Sequence, residues 1–546
     1  MLQLLLGGSG SGKTTLLYQR IRARAEKGEK SILLVPEQFT SSTEGRIYRE
    51  LGDALSGMVE SFSFTSLAEK ILSTEGGAAV QTLSDAGRAV LVRRALEELQ
   101  DNVHYYHRHR RSAAFCQMAA QTIDELKSAG LSGRQLAQLA GACGAESGKL
   151  SELALIFQGY ETLLARSGMD PSDRLELAGA RLEEALARHS LPEFLRDRAV
   201  FIDEFDTFNA PKKRLLGAML AALPSVTVAL CDDGAPLLPG DLSLFSGAKQ
   251  VAAQLRQLAR KNGAEVAVPQ LLRKDLRHRN APGLAAVAEL LETGSCTADA
   301  PAGEVRLFAA PSREEEARAA AGAIRRLMRQ GVRCGKIAVV CRDIAKYRAA
   351  VRYEFRMAEI PLYCDEPTTP EFSAPATAVR ALLEIARGAD LTENLTTLAK
   401  TGLCALSEEQ VCALENYAYT WAPTAAAWRE KFERSPKGFG EQELTEEDLR
   451  NRERAEHARA LLVGAVDAFR AKVRGVNAEA ISRAVYFCLK TLGAEEQQAA
   501  QVKAIRAGRG IPAAEEAARE WNVVMGLLNE MAHLLGEQTV THDRSE

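Results

Sequence analysis

The chain has 546 residues, too many for one domain, and a length prior gives about three or four. Apolar residues make up 46% and charged residues 26%, the balance of a globular protein, while a net charge of -3 excludes a whole-surface attraction for nucleic acid, so any such site must be a local groove. No stretch approaches the roughly eighteen apolar residues of a membrane span, and the first residues read as a core strand rather than a signal peptide, so no membrane contact and a cytoplasmic location are expected.

The first element carries the strongest signal. Leu2, Leu4, Leu5 and Leu6 form an apolar run that predicts a short buried strand. Gly7, Gly12, Lys13 and Thr14 then satisfy G-x-x-x-x-G-K-[ST] without a mismatch. A helix is expected over Thr15 to Ala25, with Leu16, Leu17 and Ile21 as its apolar stripe. In this context Gly7, Gly8, Ser9, Gly10, Ser11, Gly12, Lys13, Thr14 and Thr15 are the candidate ATP ligands. The glycines let backbone N–H groups turn toward phosphate, and the helix start adds a partial positive charge. Lys13 would meet the β- and γ-phosphates, and the Thr14 hydroxyl would hold Mg²⁺.

Strands are further expected at 31–35, 58–63, 199–202, 226–230, 304–309 and 336–341, and alanine-rich amphipathic helices at 84–100, 113–129, 152–166 and 174–188. Strands alternating with helices predict an α/β fold with a mostly parallel sheet, and the helical block at about 75–195 reads as an insertion. The strand "AVFI" ends in Asp203 and Glu204. Asp203 would face Mg²⁺, and Glu204 is the candidate catalytic base that orients water. "SILLVPEQFT" and "VESFSFTSLAEKIL" each place a polar loop after a strand, where a kinase would grip a compact acceptor and a translocase would touch a single strand of nucleic acid. In a translocase a ring there can stack on a base, with Phe64 outward and Phe62 inward as the favoured arrangement and both rings buried as a near-equal alternative. The small-residue stretch 288–303 is the expected linker, and from about 374 the chain reads as helix and loop.

"GGSGSGKTTLL", "ILLVPEQFT", "SFSFTSLAEKIL", "DELKSAGLS", "LALIFQGYETLL" and "FIDEFDTFNAPKKRLL" together resemble, in order and spacing, the AddB-type subunit family of AddAB helicase–nucleases, counterparts of the RecBCD machines. The segment "IAVVCRDIAKYRAAVRYEFRMAEIPLYCDE" is similar to the start of the second motor domain of superfamily 1 helicases. The resemblance implies a P-loop, RecA-like first domain over 1–290 with its insertion at 75–195. The start of a second RecA-like domain would occupy 300–385, and a helical insertion within it 386–546. It implies ATP and Mg²⁺ as cofactors, an AddA-type motor and nuclease subunit as heterodimer partner, and single- and double-stranded DNA ends as ligands. The activity implied is break-end resection for recombinational repair, with scanning of single-stranded DNA for a Chi-type hotspot, to which Gln38, Thr40 and Phe64 would contribute contacts, an amide reading a base edge and a ring stacking, with Gln38 as a loop-bracing side chain an equal alternative. The chain is expected to be the N-terminal part of a roughly twofold longer protein.

Three departures qualify that picture. The family's iron–sulfur cluster and nuclease motif are expected only in a C-terminal region, since the ten cysteines here lack the spacing of a four-thiolate set. The coupling motif Gly-Asp-x-x-Gln reads "ALCDDGAPL" here, with Asp232 and Asp233 but no glutamine, so ATP binding is expected more than coupled turnover. Ser66 and Glu69 stand where some relatives carry a basic and an aromatic residue. Other candidates are weaker. "HYYHRHRR" at 104–111 is read either as a nucleic-acid contact or as a solvated loop. Arg277 or Arg279 could approach a γ-phosphate or simply face solvent, and Lys212 and Lys213 read as surface residues. A stand-alone P-loop kinase or NTPase with helical lids, and a non-enzymatic DNA-binding scaffold, are the rival classes.

Overall fold

The structure is a computed structural model that describes residues 1–77, 82–142, 144, 147–295, 304–364, 370–389, 391–440 and 443–536. Two compact units result: Met1–Arg273 together with Pro370–Glu546, and Lys274–Thr369. Among the described residues no helix is long and apolar enough to cross a membrane.

The first unit is built on six parallel strands: β1 (Leu2–Gly7), β2 (Ser31–Leu34), β3 (Val59–Phe62), β4 (Ala199–Ile202), β5 (Ser225–Cys231) and β6 (Gln270–Leu272). Their order across the sheet is β3-β2-β4-β5-β1-β6. Leu2, Leu4, Leu5 and Ile32 are fully buried because helices cover both faces of this parallel sheet. Side chains alternate along each strand. Leu4, Leu34, Val200, Ile202 and Val228 pack on one face with Leu67, Leu182, Leu215 and Leu255, whereas Leu5, Leu33, Phe201 and Ala229 pack on the other with Leu17, Ile21 and Ile47. The sequence-based expectation of an α/β fold with large helical insertions is therefore met. β6 escaped the sequence reading because three residues carry no readable period.

Five helices follow the first strands: α1 (Lys13–Ala25), α2 (Thr40–Leu51), the single turn α3 (Asp53–Ser56), α4 (Phe64–Glu75) and α5 (Asp85–Glu98). Arg20 of α1 donates to Gln3 and Gln270 side chains at 2.7 and 2.5 Å, which ties the helix to β1 and β6. The α5 helix opens the insertion, with helices Ala113–Ser128, Ser147–Ser167 and Pro171–Ala187 close to the predicted spans. Its core is Leu91, Leu96, Ile123, Phe157 and Tyr160.

Helices between Ala374 and Leu535 build a core around Leu382, Leu414, Trp428, Leu462 and Val485. It docks on the insertion through the helix Ile511–Leu535. Glu530 accepts the Ser84 backbone N–H at 2.8 Å and the Ser84 hydroxyl as well. Ser84 is the N-cap of α5, so a carboxylate sits at a positive helix end. Gly87 leaves the room: a Cβ there would collide with the Glu530 carboxylate. Arg94 then donates to the Leu534 carbonyl at 2.8 Å.

Two expectations need correction. The segments 304–309 and 336–341, expected as strands, form no ladder among the described residues, and Leu307 and Val340 are 101% and 91% exposed. Alternating apolar residues favour extension, but a strand also needs hydrogen-bonding neighbours, and here the second unit contributes the helix pair Arg313–Arg329 and Ile344–Met357, packed through Ile324 and Phe355. The break between units falls at Arg273, and the helix Pro282–Thr293 occupies part of the stretch expected as linker, while 296–303 lies outside the described residues.

The second correction concerns the two rings of the β3 edge, which are inverted. Phe64 is 2% exposed, whereas Phe62 is half-buried. Phe64 opens α4, where Ser63 and Ser66 form a reciprocal capping box, and its ring meets Phe205 edge-on at 5.2 Å and Phe208 at 6.0 Å. Ser66 thus has a structural task. The ring is core, so Phe64→Ala should cost about 3 kcal/mol or more of stability and lower the melting temperature. Thermal melts of the two proteins check this, and an unchanged transition would contradict the packing.

Candidate nucleotide-binding site

The site is set by where three parallel strands stop. β1 delivers the glycine loop, and β4, two places along the sheet, delivers Asp203 and Glu204. Between them β5 ends at Cys231, and the Asp232 N–H donates to the Gly7 carbonyl at 3.2 Å. The Asp203 N–H donates to Leu34 of β2 at 3.1 Å, which fixes the acidic turn to its other neighbour.

The loop has the tight, glycine-dependent shape that phosphate binding by backbone N–H groups needs. Gly10 and Gly12 have φ of 78° and 90°, which only glycine adopts without strain. A Cβ on Gly7 would meet the Ser11 hydroxyl and stand 2.7 Å from the Leu272 carbonyl, so the first glycine is required by close approach. The Ser11 Oγ is buried without a hydrogen-bond partner among the described residues. Gly12 is the N-cap of α1, and no side chain caps that helix or places an acid in its first turn. Helix starts without a side-chain cap are where backbone N–H groups bind phosphate. Lys13 donates to the Gly7 and Gly8 carbonyls at 2.7 and 2.8 Å, spanning the loop it would leave for a phosphate. Gly8 and Thr14 are half-buried, and Ser9 and Thr15 are exposed at the rim.

The acidic side is electrostatically tense. Burial pushes the Asp203 carboxyl above its ordinary range, against the opposing pull of the Thr14 hydroxyl, the Glu204 N–H and the Lys13 and Arg46 charges. The Glu204 N–H donates back to Asp203 Oδ1 at 3.0 Å, and Glu204 takes a left-handed φ of 65°. The Glu204 carboxyl is also raised, by burial and then by Asp203, with Arg46 opposing. Thr14 and Asp203, the two groups expected to hold Mg²⁺, line one cavity, and the Thr14 hydroxyl counters the rise of the Asp203 carboxyl. Among the described residues no set of three or more His, Cys, Asp or Glu is gathered around a metal position. A hydroxyl, one carboxylate, water and phosphate oxygens suit Mg²⁺, which keeps several waters.

A cavity of about 540 Å³ adjoins this corner, lined by Thr14, Tyr18, Thr43, Arg46, Asp203 and Glu204 among others. Burial pushes the Tyr18 hydroxyl up to about 12, with Asp203 and Glu204 adding to the shift. Tyr18 and Arg46 were missed from the sequence because neither belongs to a motif, and their approach depends on how α1 and α2 pack. A larger cavity of about 840 Å³, lined by Arg94, Arg483 and His533 among others, includes none of the loop residues.

Gln38 is exposed in the turn after β2, and the Thr40 hydroxyl donates to the Glu37 carbonyl at 3.0 Å as α2 begins. The third DNA candidate, Phe64, is inside the aromatic cluster, which leaves Phe205 half-buried at this edge, and Lys212 lies 5.6 Å over both rings. The His/Tyr/Arg stretch is partly structural. Glu152 accepts from the N–H groups of His104, Tyr105 and Tyr106, and the Tyr106 ring packs on Phe115 at 5.1 Å. Arg277 and Arg279 are exposed in the second unit, and Asp275 accepts the Arg277 N–H.

Comparison with known proteins agrees with this geometry. Residues 4–288 match the family described as ADDB, N-terminal. The ATP-dependent helicase/deoxyribonuclease B subunit of Desulforudis audaxviator is 30% identical over 99% of this chain and 48% of its own length. The proteins of the same name from Moorella thermoacetica and Symbiobacterium thermophilum are 29% and 30% identical, each over 99% of this chain and 48% of their own. The chain spans about half the length of these curated relatives. A glycine loop on β1, an acidic pair on β4 and a match across more than half the residues lead to one conclusion: this chain belongs to the AddB N-terminal family.

Proposed function

We propose that the chain is the ATP-binding, helicase-like part of a helicase–nuclease subunit that guides and scans single-stranded DNA during resection of double-strand-break ends. The observation that carries the nucleotide half is the cavity in which Thr14 meets the acidic turn of Asp203 and Glu204, beside a loop whose helix start has no side-chain cap. The DNA half is supported by the name its relatives carry, which is that of an ATP-dependent helicase/deoxyribonuclease, and by strand ends that gather on one edge, where open parallel sheets bind ligands. In this reading the partner is a motor and nuclease subunit, the location is cytoplasmic, and the scanned element is a Chi-type hotspot. A free-standing kinase has less support, because the family match extends across the helical insertion.

The residues divide the work. Loop N–H groups and Lys13 hold the phosphates, and Thr14 and Asp203 would hold Mg²⁺, whose charge neutralises the phosphate oxygens. Glu204 orients water at the acidic corner. Gln38 and Thr40 contact DNA at the β2 edge. The Phe64 ring is committed to the core, so any stacking role at this edge would fall to another ring. Binding ranks ahead of turnover, because the β5 end carries Asp232 and Asp233 where a coupling glutamine would stand.

Lys13→Ala should weaken binding of ATP with Mg²⁺ at least tenfold, about 1.4 kcal/mol or more. Calorimetry on both proteins reads this directly, and equal affinities would remove the nucleotide role of the loop.

Asp203→Asn should act in opposite directions on stability and on binding. The folded-state pKa of Asp203 lies above its unfolded value, so at neutral pH its ionised form opposes folding, and that penalty fades as pH falls through the folded pKa. The asparagine protein, free of nucleotide, should melt higher near pH 7, with the difference shrinking in acid, while its affinity for ATP with Mg²⁺ falls. A lower melting temperature combined with unchanged affinity would sink the metal role.

A further inference from the structure

The cavity beside the phosphate loop holds a cation that no sequence motif announces. Ser42, Thr43, Arg46 and Arg49 line it from one face of α2, and Thr14 and Tyr18 line it from one face of α1. The third wall is the acidic turn, Asp203, Glu204 and Asp206. Arg46 is half-buried, with its guanidinium carbon 4.9 Å from the centre of the Tyr18 ring. That ring supports the flat group without consuming its in-plane N–H donors. Among the described residues no ion pair closes on Arg46, although Asp203 and Glu204 both feel its charge. Arg46 thus faces the metal-side residues across open space with its donor fork available.

Phosphate chemistry gives this arrangement a use. In the nucleotide reading, on which this inference rests, Lys13, Thr14 and Asp203 bracket the end of the triphosphate. A γ-phosphate adds negative charge and oxygen acceptors at that end, and a diphosphate lacks them. The same end faces Asp203 and Glu204, which repel it. A guanidinium offers two parallel N–H donors that match a phosphate edge. We propose that Arg46 is a γ-phosphate ligand contributed by α2, a specificity residue that makes the site favour nucleoside triphosphate over diphosphate. Helix α2 begins at Thr40, two residues after Gln38, so the helix that reads the phosphate starts at the DNA edge.

The test uses calorimetry of the whole chain with Mg²⁺ and either ADP or the non-hydrolysable β,γ-imido analogue of ATP. Wild type, Arg46→Ala, Arg46→Gln and Arg46→Lys are compared. Arg46→Ala and Arg46→Gln should keep ADP affinity within about twofold and lose about tenfold for the triphosphate. The Arg46→Lys protein should recover part of the loss, since it keeps the charge without the fork. Unchanged ADP affinity also shows that the variants are folded, and Arg46→Gln keeps an apolar stem against Tyr18. If wild type binds both nucleotides and the variants lose neither, or lose both equally, Arg46 does not read the γ-phosphate and the loop assignment survives. If wild type binds neither nucleotide, the nucleotide reading falls and takes this role of Arg46 with it.

Discussion

The position of β1 decides what the rest of the first unit can do. Its residues pair with β5 on one side, from Leu2 to Gly7, and with β6 on the other. The strand is therefore immobilised up to the glycine where the loop begins. Leu272 at the end of β6 places its carbonyl against Gly7, and Asp232 after β5 donates to the Gly7 carbonyl. The loop turns in the little space those two neighbours leave, and a side chain at Gly7 would fill it. Phosphate binding by backbone N–H groups needs such rigidity, because donors fixed beforehand lose little freedom when the ligand arrives.

Much of this was legible from residues alone because the signals are local. The loop motif needs eight consecutive positions, and the capping and apolar patterns around it span single helices. The four central strands, β1, β2, β4 and β5, are runs of aliphatic residues whose boundaries shift by a residue or two at most. What escaped depends on contacts far apart in sequence. β6 exists because Gln270–Leu272 meets β1. Phe64 points inward because Phe205 and Phe208, well over a hundred positions away, complete an aromatic cluster, and alternation with serine could not show which neighbour had the partners. The segments around Leu307 and Val340 mislead in the other direction, with strand-like composition but no ladder among the described residues.

The same logic governs how the helical parts of the first unit meet. Glu530 is 5% exposed, and an unpaired buried carboxylate would be costly. Its charge is met by the start of α5, through the Ser84 N–H and hydroxyl, with Gly87 providing the space. Leu534 then enters the core of the insertion beside Leu91 and Phe157. A helix more than four hundred residues away in sequence is thereby made part of the insertion's packing. The contact is specific in position, since one carboxylate must find one helix end.

The nucleotide corner is tuned differently, and the contrast shows how the two sites serve the molecule. At Glu530 charge is satisfied within the chain. At Asp203 and Glu204 it is left incompletely satisfied: burial holds both carboxyls above their ordinary range, with the Asp203 charge adding to the rise at Glu204, and Lys13 rests on backbone carbonyls of its own loop. Such a corner lowers the stability of the free protein and gains most from a ligand that brings a divalent cation and phosphate together, because each then meets an unspent partner. Cation without phosphate would satisfy the acids and leave the loop N–H groups unmet, and phosphate without cation would face two carboxylates. In the nucleotide reading proposed above, the arrangement would therefore favour the metal–nucleotide complex over either component, because three strand ends fix acid, hydroxyl and glycine loop side by side.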